Sequence, residues 1–277
     1  MNVSRTSAAA SFVAAALVLN GCTSTAPTTS VTPAPAPSVH EKHWGYVADA
    51  ETAGPAEWGS LPGNVACAAG KRQSPVDLAT RAPFPVEAKD LPNLVFKYGA
   101  TKLHLVNDGH TVQADVDKGS TVEIDGVAWR LVQFHFHAPS EHSLDGLHYP
   151  MEMHLVHVAP DGKSSLVVGI FLVQGGGSPA LAPVFTSLPK EKGAKRDDTS
   201  VTIGLADLLP GDRTYLAYEG SFTAPPCTEN VRWYVLKTPA GITGEQLGAF
   251  VSLPHMTPTN RPVQPLAGRK VLLDTTP

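Results

Sequence analysis

The chain has 277 residues, and 21 basic against 25 acidic side chains give a formal charge of −4, which argues against a nucleic-acid binder that neutralises phosphates. Apolar residues make up 42% and charged residues 17%, enough core-forming material to exclude wholesale disorder. The 24 glycines and 25 prolines suit a turn-rich chain built mainly of strands.

At the N-terminus, Arg5 precedes an apolar run from Ala8 to Leu19, broken only by Ser11. The run is shorter than the roughly 20 residues that span a bilayer, so residues 1–21 are expected to be a secretory signal. Leu19-Asn20-Gly21-Cys22 resembles a bacterial lipobox. It predicts acylation of Cys22 and a lipid anchor on the membrane, in the periplasm or cell envelope; plain secretion with a free Cys22 is the alternative. Residues 22–40 are Thr-, Pro- and Ala-rich, as in Thr32-Pro33-Ala34-Pro35-Ala36-Pro37. Such a segment cannot form a core and is expected to be an extended tether, leaving one domain over residues 41–277. Cys67 and Cys227 would, in an exported chain, lie where disulfides persist. They are read either as a bridge closing a long loop or as two buried thiols.

Strand signals follow in order. Thr121-Val122-Glu123-Ile124 and Val127 to Leu131 flank Asp125-Gly126, a hairpin turn signal. Alternation continues from Leu131 to His137 and resumes from Met151 to Val158. Leu166 to Val173 is a continuous apolar run, as in a strand buried on both faces. Ser178-Pro179 opens a short helix candidate, Arg213 to Tyr218 and Val231 to Leu236 read as strands, and Thr243 to Gln246 has capping-box form. The expected fold is mainly β: a single domain with a large, mostly antiparallel, twisted central sheet and a few peripheral helices.

The chemistry lies in the histidines. Residues two apart on a strand share a face, so Gln133, His135 and His137 point together, as do Glu152 and His154. If the two strands are neighbours, three imidazoles converge. Three His ligands with one open position describe a catalytic zinc site. Gln133 and Glu152 are placed to accept the second N–H of His135 and His154, which fixes a ligand's tautomer. A lone strand histidine is more often structural; the companions shift the reading towards metal.

These residues resemble the α-class carbonic anhydrases. Ser140-Glu141-His142-Ser143-Leu144, Tyr149 and Glu152-Met153-His154-Leu155-Val156 fit a family motif, and Gln133-Phe134-His135-Phe136-His137 fits its metal strand. His43-Trp44-Gly45-Tyr46, Gln73-Ser74-Pro75-Val76, Asn107-Asp108-Gly109-His110, Gly220 to Pro226 and Arg261-Pro262-Val263-Gln264-Pro265 extend the likeness over the whole body. The resemblance implies a Zn2+ ion on His135, His137 and His154, and zinc-hydroxide attack on carbon dioxide to give bicarbonate and a proton. It implies that Thr223 accepts a hydrogen bond from that hydroxide and donates one to Glu141, and that His110 shuttles the proton to buffer. It implies an apolar substrate pocket of Val156, Val167, Phe222 and Trp233, structural roles for His142 and His157, and a Cys67–Cys227 disulfide.

Three departures bear on rate and inhibitor preference: Ala224 where many animal members have a second threonine, Phe222 for a common leucine, and Asp108 for an asparagine. Thr259 replaces a common asparagine, but the family uses the backbone carbonyl there to hold the ligand equivalent to His137. Two other functions use the same residues. A non-catalytic binding module would have lost zinc ligands, and the triad is intact. A different zinc hydrolase would be separated by substrate competition. The oligomeric state stays open, a homodimer included.

Overall fold

In the computed structural model, residues 42–80 and 86–275 are described; the expected signal, Cys22 and the tether lie outside them. The chain opens with short strands β1 (His43–Trp44), β2 (Thr52–Ala53) and β3 (Asp77–Leu78), with helix α1 (Ala66–Ala69) before β3. Next come β4 (Val86–Lys89), β5 (Val95–Lys97), β6 (Ala100–Asn107), β7 (Val112–Asp115), β8 (Thr121–Ile124) and β9 (Val127–His137). A small hairpin, β10 (Ser143–Leu144) and β11 (Leu147–His148), leads into β12 (Met151–Val158) and β13 (Ser165–Gln174). Helix α2 (Ala182–Thr186) then precedes β14 (Lys195–Gly204), β15 (Tyr215–Ser221), β16 (Glu229–Ile242), α3 (Gly244–Val251) and β17 (Val271–Asp274).

The central sheet runs β14-β6-β7-β9-β12-β13-β16-β15-β17-β4, with β8 joining β9 to β5. It is mostly antiparallel; β13–β16 and β17–β4 are its parallel pairs. The β13–β16 pair explains the unbroken apolar run of β13, because a parallel strand at the centre is covered on both faces. The Asp125-Gly126 hairpin forms as expected, with positive φ at both residues (52° and 75°), as the turn type that matches strand twist requires. Helix α3 carries the full capping box: Gln246 N–H donates to Thr243 Oγ1 and Thr243 N–H to Gln246 Oε1.

The sheet separates two cores. On one face Met153, Leu155, Val168, Ile170, Phe134 and Phe136 pack with the helices. On the other, Val156, Val167, Phe171, Trp233 and Val235 form a second cluster. Which face each β9 residue meets depends on one irregularity. Val156 pairs with Gln133 but His157 pairs with Leu131, so Val132 is an extra residue, a β-bulge. Trp129 and Leu131 pack into the first core, Phe134 and Phe136 do too, and Val132 lies against the second. The bulge reverses the parity of the strand, so Leu131 does not share the face of Gln133, His135 and His137, as unbroken alternation would require.

The strands β6 and β14 lie outside the expected set. β14 begins Lys195-Arg196-Asp197-Asp198 and is largely exposed, so it has no apolar alternation to read; it is an edge strand whose charges discourage further pairing. Two expected strands have different limits: the one beginning near Arg213 spans Tyr215–Ser221, and the one at Val231 extends over Glu229–Ile242.

Candidate metal centre

The site follows from register. On β12 and β9, His154 is directly opposite His135, and Glu152 is opposite His137. Their ring centroids lie 4.7 to 5.2 Å apart, and one ligand atom from each of the three lies within 4.8 Å of the others. The next row of the sheet runs Gln133, Val156, Val167, Trp233. The imidazoles and an apolar band are therefore adjacent rows on one face.

Each ring is oriented by an acceptor. His135 Nδ1–H donates to Gln133 Oε1 (2.8 Å), and His137 Nδ1–H to the Thr259 carbonyl (2.6 Å). His154 Nε2–H donates to Glu152 Oε1 (2.9 Å). A carboxylate or carbonyl can only accept, so the lone pairs left over are on Nε2, Nε2 and Nδ1. Burial depresses the pKa of His135 well below the ordinary value and that of His137 below it, with the neighbouring imidazoles adding to the effect on His135. The His135 and His137 rings are thus held neutral, the form that ligates metal.

Glu152 is the anchor of the arrangement. Its Oε1 also accepts from His142 Nδ1 (2.7 Å), and its Oε2 accepts the N–H groups of Glu141 and His142 (2.9 and 2.8 Å). Burial opposes its ionisation, but the His142 and His154 rings and their hydrogen bonds hold the carboxyl well below the usual range. Room for it comes from Gly169, opposite His154: a Cβ there would lie 3.0 Å from Glu152 Oε1 and 3.2 Å from Val235.

Glu141 is fully buried, and its Oε1 accepts the Arg261 N–H (2.9 Å). Its Oε2 has no hydrogen-bond partner and sits 3.4 Å from His137 Nε2, itself buried and unpartnered. A carboxylate oxygen beside lone pairs, with no proton between them, is a donor set that suits a cation. Three imidazoles match zinc in type and number. The hydrogen bond expected from Thr223 to Glu141 is not made at Oε2. Thr223 is buried in the wall of the cavity that the three imidazoles line.

That cavity, of about 300 Å3, is lined by the three histidines, Gln133, His110 and Thr223, and by the whole expected apolar set of Val156, Val167, Phe222 and Trp233. Ala224 and Asp108 also border it. The Thr223 segment is tied down on several sides. Phe222 N–H donates to Thr228 O, Trp233 Nε1–H to Ser221 O (2.9 Å), and Cys227 is bonded to Cys67 across 160 residues of sequence. A loop of that length restrains the unfolded chain by roughly 4–5 kcal/mol in the entropy model, and such bonds persist in oxidising compartments.

Some contributors were not assigned a role from sequence. Trp44 stacks on His110 with ring centroids 3.6 Å apart and planes at 13°. Tyr46 and Gln113 line the cavity. Arg261, fully buried, donates to Gln73 Oε1, Ser74 O and Cys67 O and lies over Trp58. It thereby joins the disulfide segment to the loop that holds Glu141. These residues are far apart in sequence; Trp44, Tyr46, Gln73, Ser74 and Arg261 lie in the motifs that carry the resemblance, and Gln113 lies in none of them. His142 and His157 stand outside the triad as expected: His142 joins Glu152 to Tyr218, and His157 lies between Tyr98 and Leu166 O.

The sequence profile of the "Eukaryotic-type carbonic anhydrase" family matches residues 53–275. A carbonic anhydrase of Pectobacterium atrosepticum is 36% identical over 93% of this chain and 97% of its own length. One from Nostoc is 38% identical over 83% of the chain and 85% of its own. Among solved structures, the α-carbonic anhydrase of Thermovibrio ammonificans in complex with sulfanilamide superposes with a TM-score of 0.76. It is 40% identical and covers 83% of this chain and 99% of its own. With its fold, its triad and these matches in agreement, the chain belongs to the eukaryotic-type, α-class carbonic anhydrase family.

Proposed function

We propose that this protein hydrates carbon dioxide reversibly at the cavity over His135, His137 and His154. The observation that carries the reading is the convergence of three imidazoles beside an apolar wall. When bound, zinc supplies the Lewis acidity that makes water nucleophilic near neutral pH, for which carbonic anhydrase is itself the reference case. His135, His137 and His154 hold it; Gln133, the Thr259 carbonyl and Glu152 keep their rings in the ligating tautomers.

Val156, Val167, Phe222 and Trp233 exclude water from the place where a small apolar substrate sits. The Thr223 N–H polarises an oxygen of that substrate. Thr223 Oγ1–H is donated to Glu141. Arg261 N–H occupies Oε1 and Oε2 has no hydrogen-bond partner in the structure, so Oε2 is the oxygen open to receive it once Thr223 turns towards it. A carboxylate only accepts, so the Thr223 oxygen is left to accept from the nucleophile and aim it. His110 takes up the released proton. Burial, the largest influence on it, lowers its pKa, with Lys192, His43 and His255 adding to this and Asp108 opposing it. His110 therefore remains a neutral acceptor to lower pH than an ordinary histidine.

The leader over residues 1–21, acylation of Cys22, the tether over 22–40 and the domain over 41–277 complete the reading. The protein is then anchored outside the cytoplasm, in keeping with its disulfide. Fatty-acid labelling that is present in the wild type and absent in Cys22→Ser tests the anchor. For the reaction, hydration is assayed by stopped flow. His137→Ala is expected to lose activity by at least a thousandfold. His110→Ala is expected to lower kcat about tenfold at low buffer, with partial rescue by imidazole. Full activity in His137→Ala would refute the site.

A further inference from the structure

The turn that carries His110 is closed on itself. Asp108 Oδ1 accepts the N–H groups of His110 and Thr111 (2.7 and 2.8 Å), and Asp108 N–H donates to Thr111 O (3.2 Å). Gly109, at a φ of 90°, donates its N–H to Asn107 Oδ1 (2.9 Å). Residues 107–111 are therefore one hydrogen-bonded unit, and what holds that unit holds His110.

One hold is Asn107, which ties the unit to the segment before β14. Its Nδ2–H donates to Pro189 O (3.0 Å), its backbone N–H to Ala194 O (3.0 Å), and its backbone O accepts from Gly193 N–H (2.7 Å). Another is Thr111, which ties the unit to the metal strand. The ladder between β7 and β9 runs through Asp115–Gln133, Ala114–Phe134 and Gln113–His135. Past that rung a side chain makes the join. Thr111 Oγ1–H donates to Phe136 O (2.6 Å), and Oγ1 accepts Phe136 N–H (3.2 Å). Phe136 stands between the ligands His135 and His137, and both it and Thr111 are buried. A hydroxyl has one proton and two lone pairs, so this one group satisfies a buried donor and a buried acceptor that are costly to leave unpaired. The chain can then leave the sheet at Thr111 without stranding the peptide groups of the metal strand.

We infer that Thr111 is a positioning residue for proton transfer: its hydroxyl fixes where the His110 turn stands relative to His135 and His137. The inference rests on the reading of His110 as the proton carrier. The Trp44 stack restrains the His110 ring, whereas the Thr111 bonds set the chain beneath that ring against the strand that bears two of the ligands. Proton transfer is sensitive to a misplacement of about an ångström, and this tie spans a single side chain. Thr111 acts through His110, without taking the proton itself.

The test compares Thr111→Val, which keeps the branched shape and loses both bonds, with Thr111→Ser, which keeps the hydroxyl, in the zinc-loaded full chain. In stopped-flow hydration, kcat at low buffer reads proton export, and kcat/KM reads attack on carbon dioxide. Thr111→Val is expected to lower kcat about fivefold, with recovery in concentrated imidazole, while kcat/KM and zinc affinity by competition titration stay within about twofold. Thr111→Ser is expected to match the wild type in each quantity. Thr111→Ala, whose smaller side chain admits water to the Phe136 peptide, should show the same split and serves if Thr111→Val folds poorly. NOEs between the His110 and Trp44 rings should weaken in Thr111→Val and return in Thr111→Ser. Adding Thr111→Val to His110→Ala should cost nothing further, because both act on one step. A parallel fall in kcat and kcat/KM, or weakened zinc binding, would show that the hydroxyl serves the metal strand instead and would overturn the inference. A loss that adds in full to that of His110→Ala, or no loss at all, would overturn it too. If His110→Ala alone leaves kcat unchanged, the shuttle reading fails, and this inference with it.

Discussion

Glu152 shows how one side chain can decide the chemistry of several others. Its two oxygens take four hydrogen bonds, from His142, His154 and two backbone N–H groups, so it can neither rotate nor protonate without cost. Glu152→Gln keeps the shape but places an NH2 group where acceptors are needed. Both imidazole N–H bonds end on Oε1 and both backbone ones on Oε2, so the amide nitrogen displaces one pair or the other; at the Oε1 place it leaves His154 free to take the wrong tautomer. Partners of this kind contribute about 10–100-fold to metal affinity. Zinc competition titration should therefore show Glu152→Gln binding about 10–100-fold more weakly; unchanged affinity would mean that His154 is oriented by packing alone. At this scale much was legible in the sequence. Gln133, His135, His137, Glu152 and His154 announce themselves by alternation. Val156, Val167, Phe222 and Trp233 do not, because an apolar residue in a strand looks the same whether it lines a pocket or fills a core; only their motif positions distinguished them.

Among elements, β9 and β13 position the site in different ways. The Val132 bulge turns Gln133, His135 and His137 to the face opposite Leu131. Sequence alternation alone put Leu131 on the histidine face, because a bulge of one ordinary residue leaves no compositional mark. β13 contributes a gap. Gly169 opposes His154, and the carboxylate beside it is pinned by four hydrogen bonds, so it moves aside for a Cβ 3.0 Å away only by straining them. Gly169→Ala gains strand propensity yet displaces Glu152. Zinc affinity is expected to fall about tenfold while the far-ultraviolet circular dichroism stays unchanged. Affinity equal to wild type would show that the sheet yields at this point. β14 is the element least legible beforehand: its pairing to β6 is set by backbone, and its Lys195-Arg196-Asp197-Asp198 start reads as loop.

For the molecule as a whole, acid is the condition that tests the packing. His157 is buried, accepts from Tyr98 through Nε2 (2.6 Å) and donates to Leu166 O through Nδ1 (3.2 Å). Burial lowers its pKa to about 3, against hydrogen bonds to the Leu166 and Leu155 backbone that would raise it. In the unfolded chain the ring takes up a proton near pH 6.5. Its contribution to stability is therefore full above about pH 6.5 and shrinks as pH falls from there towards 3, by about 1.4 kcal/mol per unit and up to about 5 kcal/mol in all. Urea unfolding from pH 7 to 5 should show this slope, and His157→Gln, which keeps a donor and an acceptor, should flatten it. Identical slopes would place the acid sensitivity elsewhere.

The central claim is that three imidazoles hold one zinc ion on which hydration depends, and back-titration of the chelated protein tests it most directly. Hydration activity should rise in proportion to added zinc and level off at one ion per chain. Activity that survives full removal of zinc, or that climbs without a break beyond one equivalent, would contradict the account.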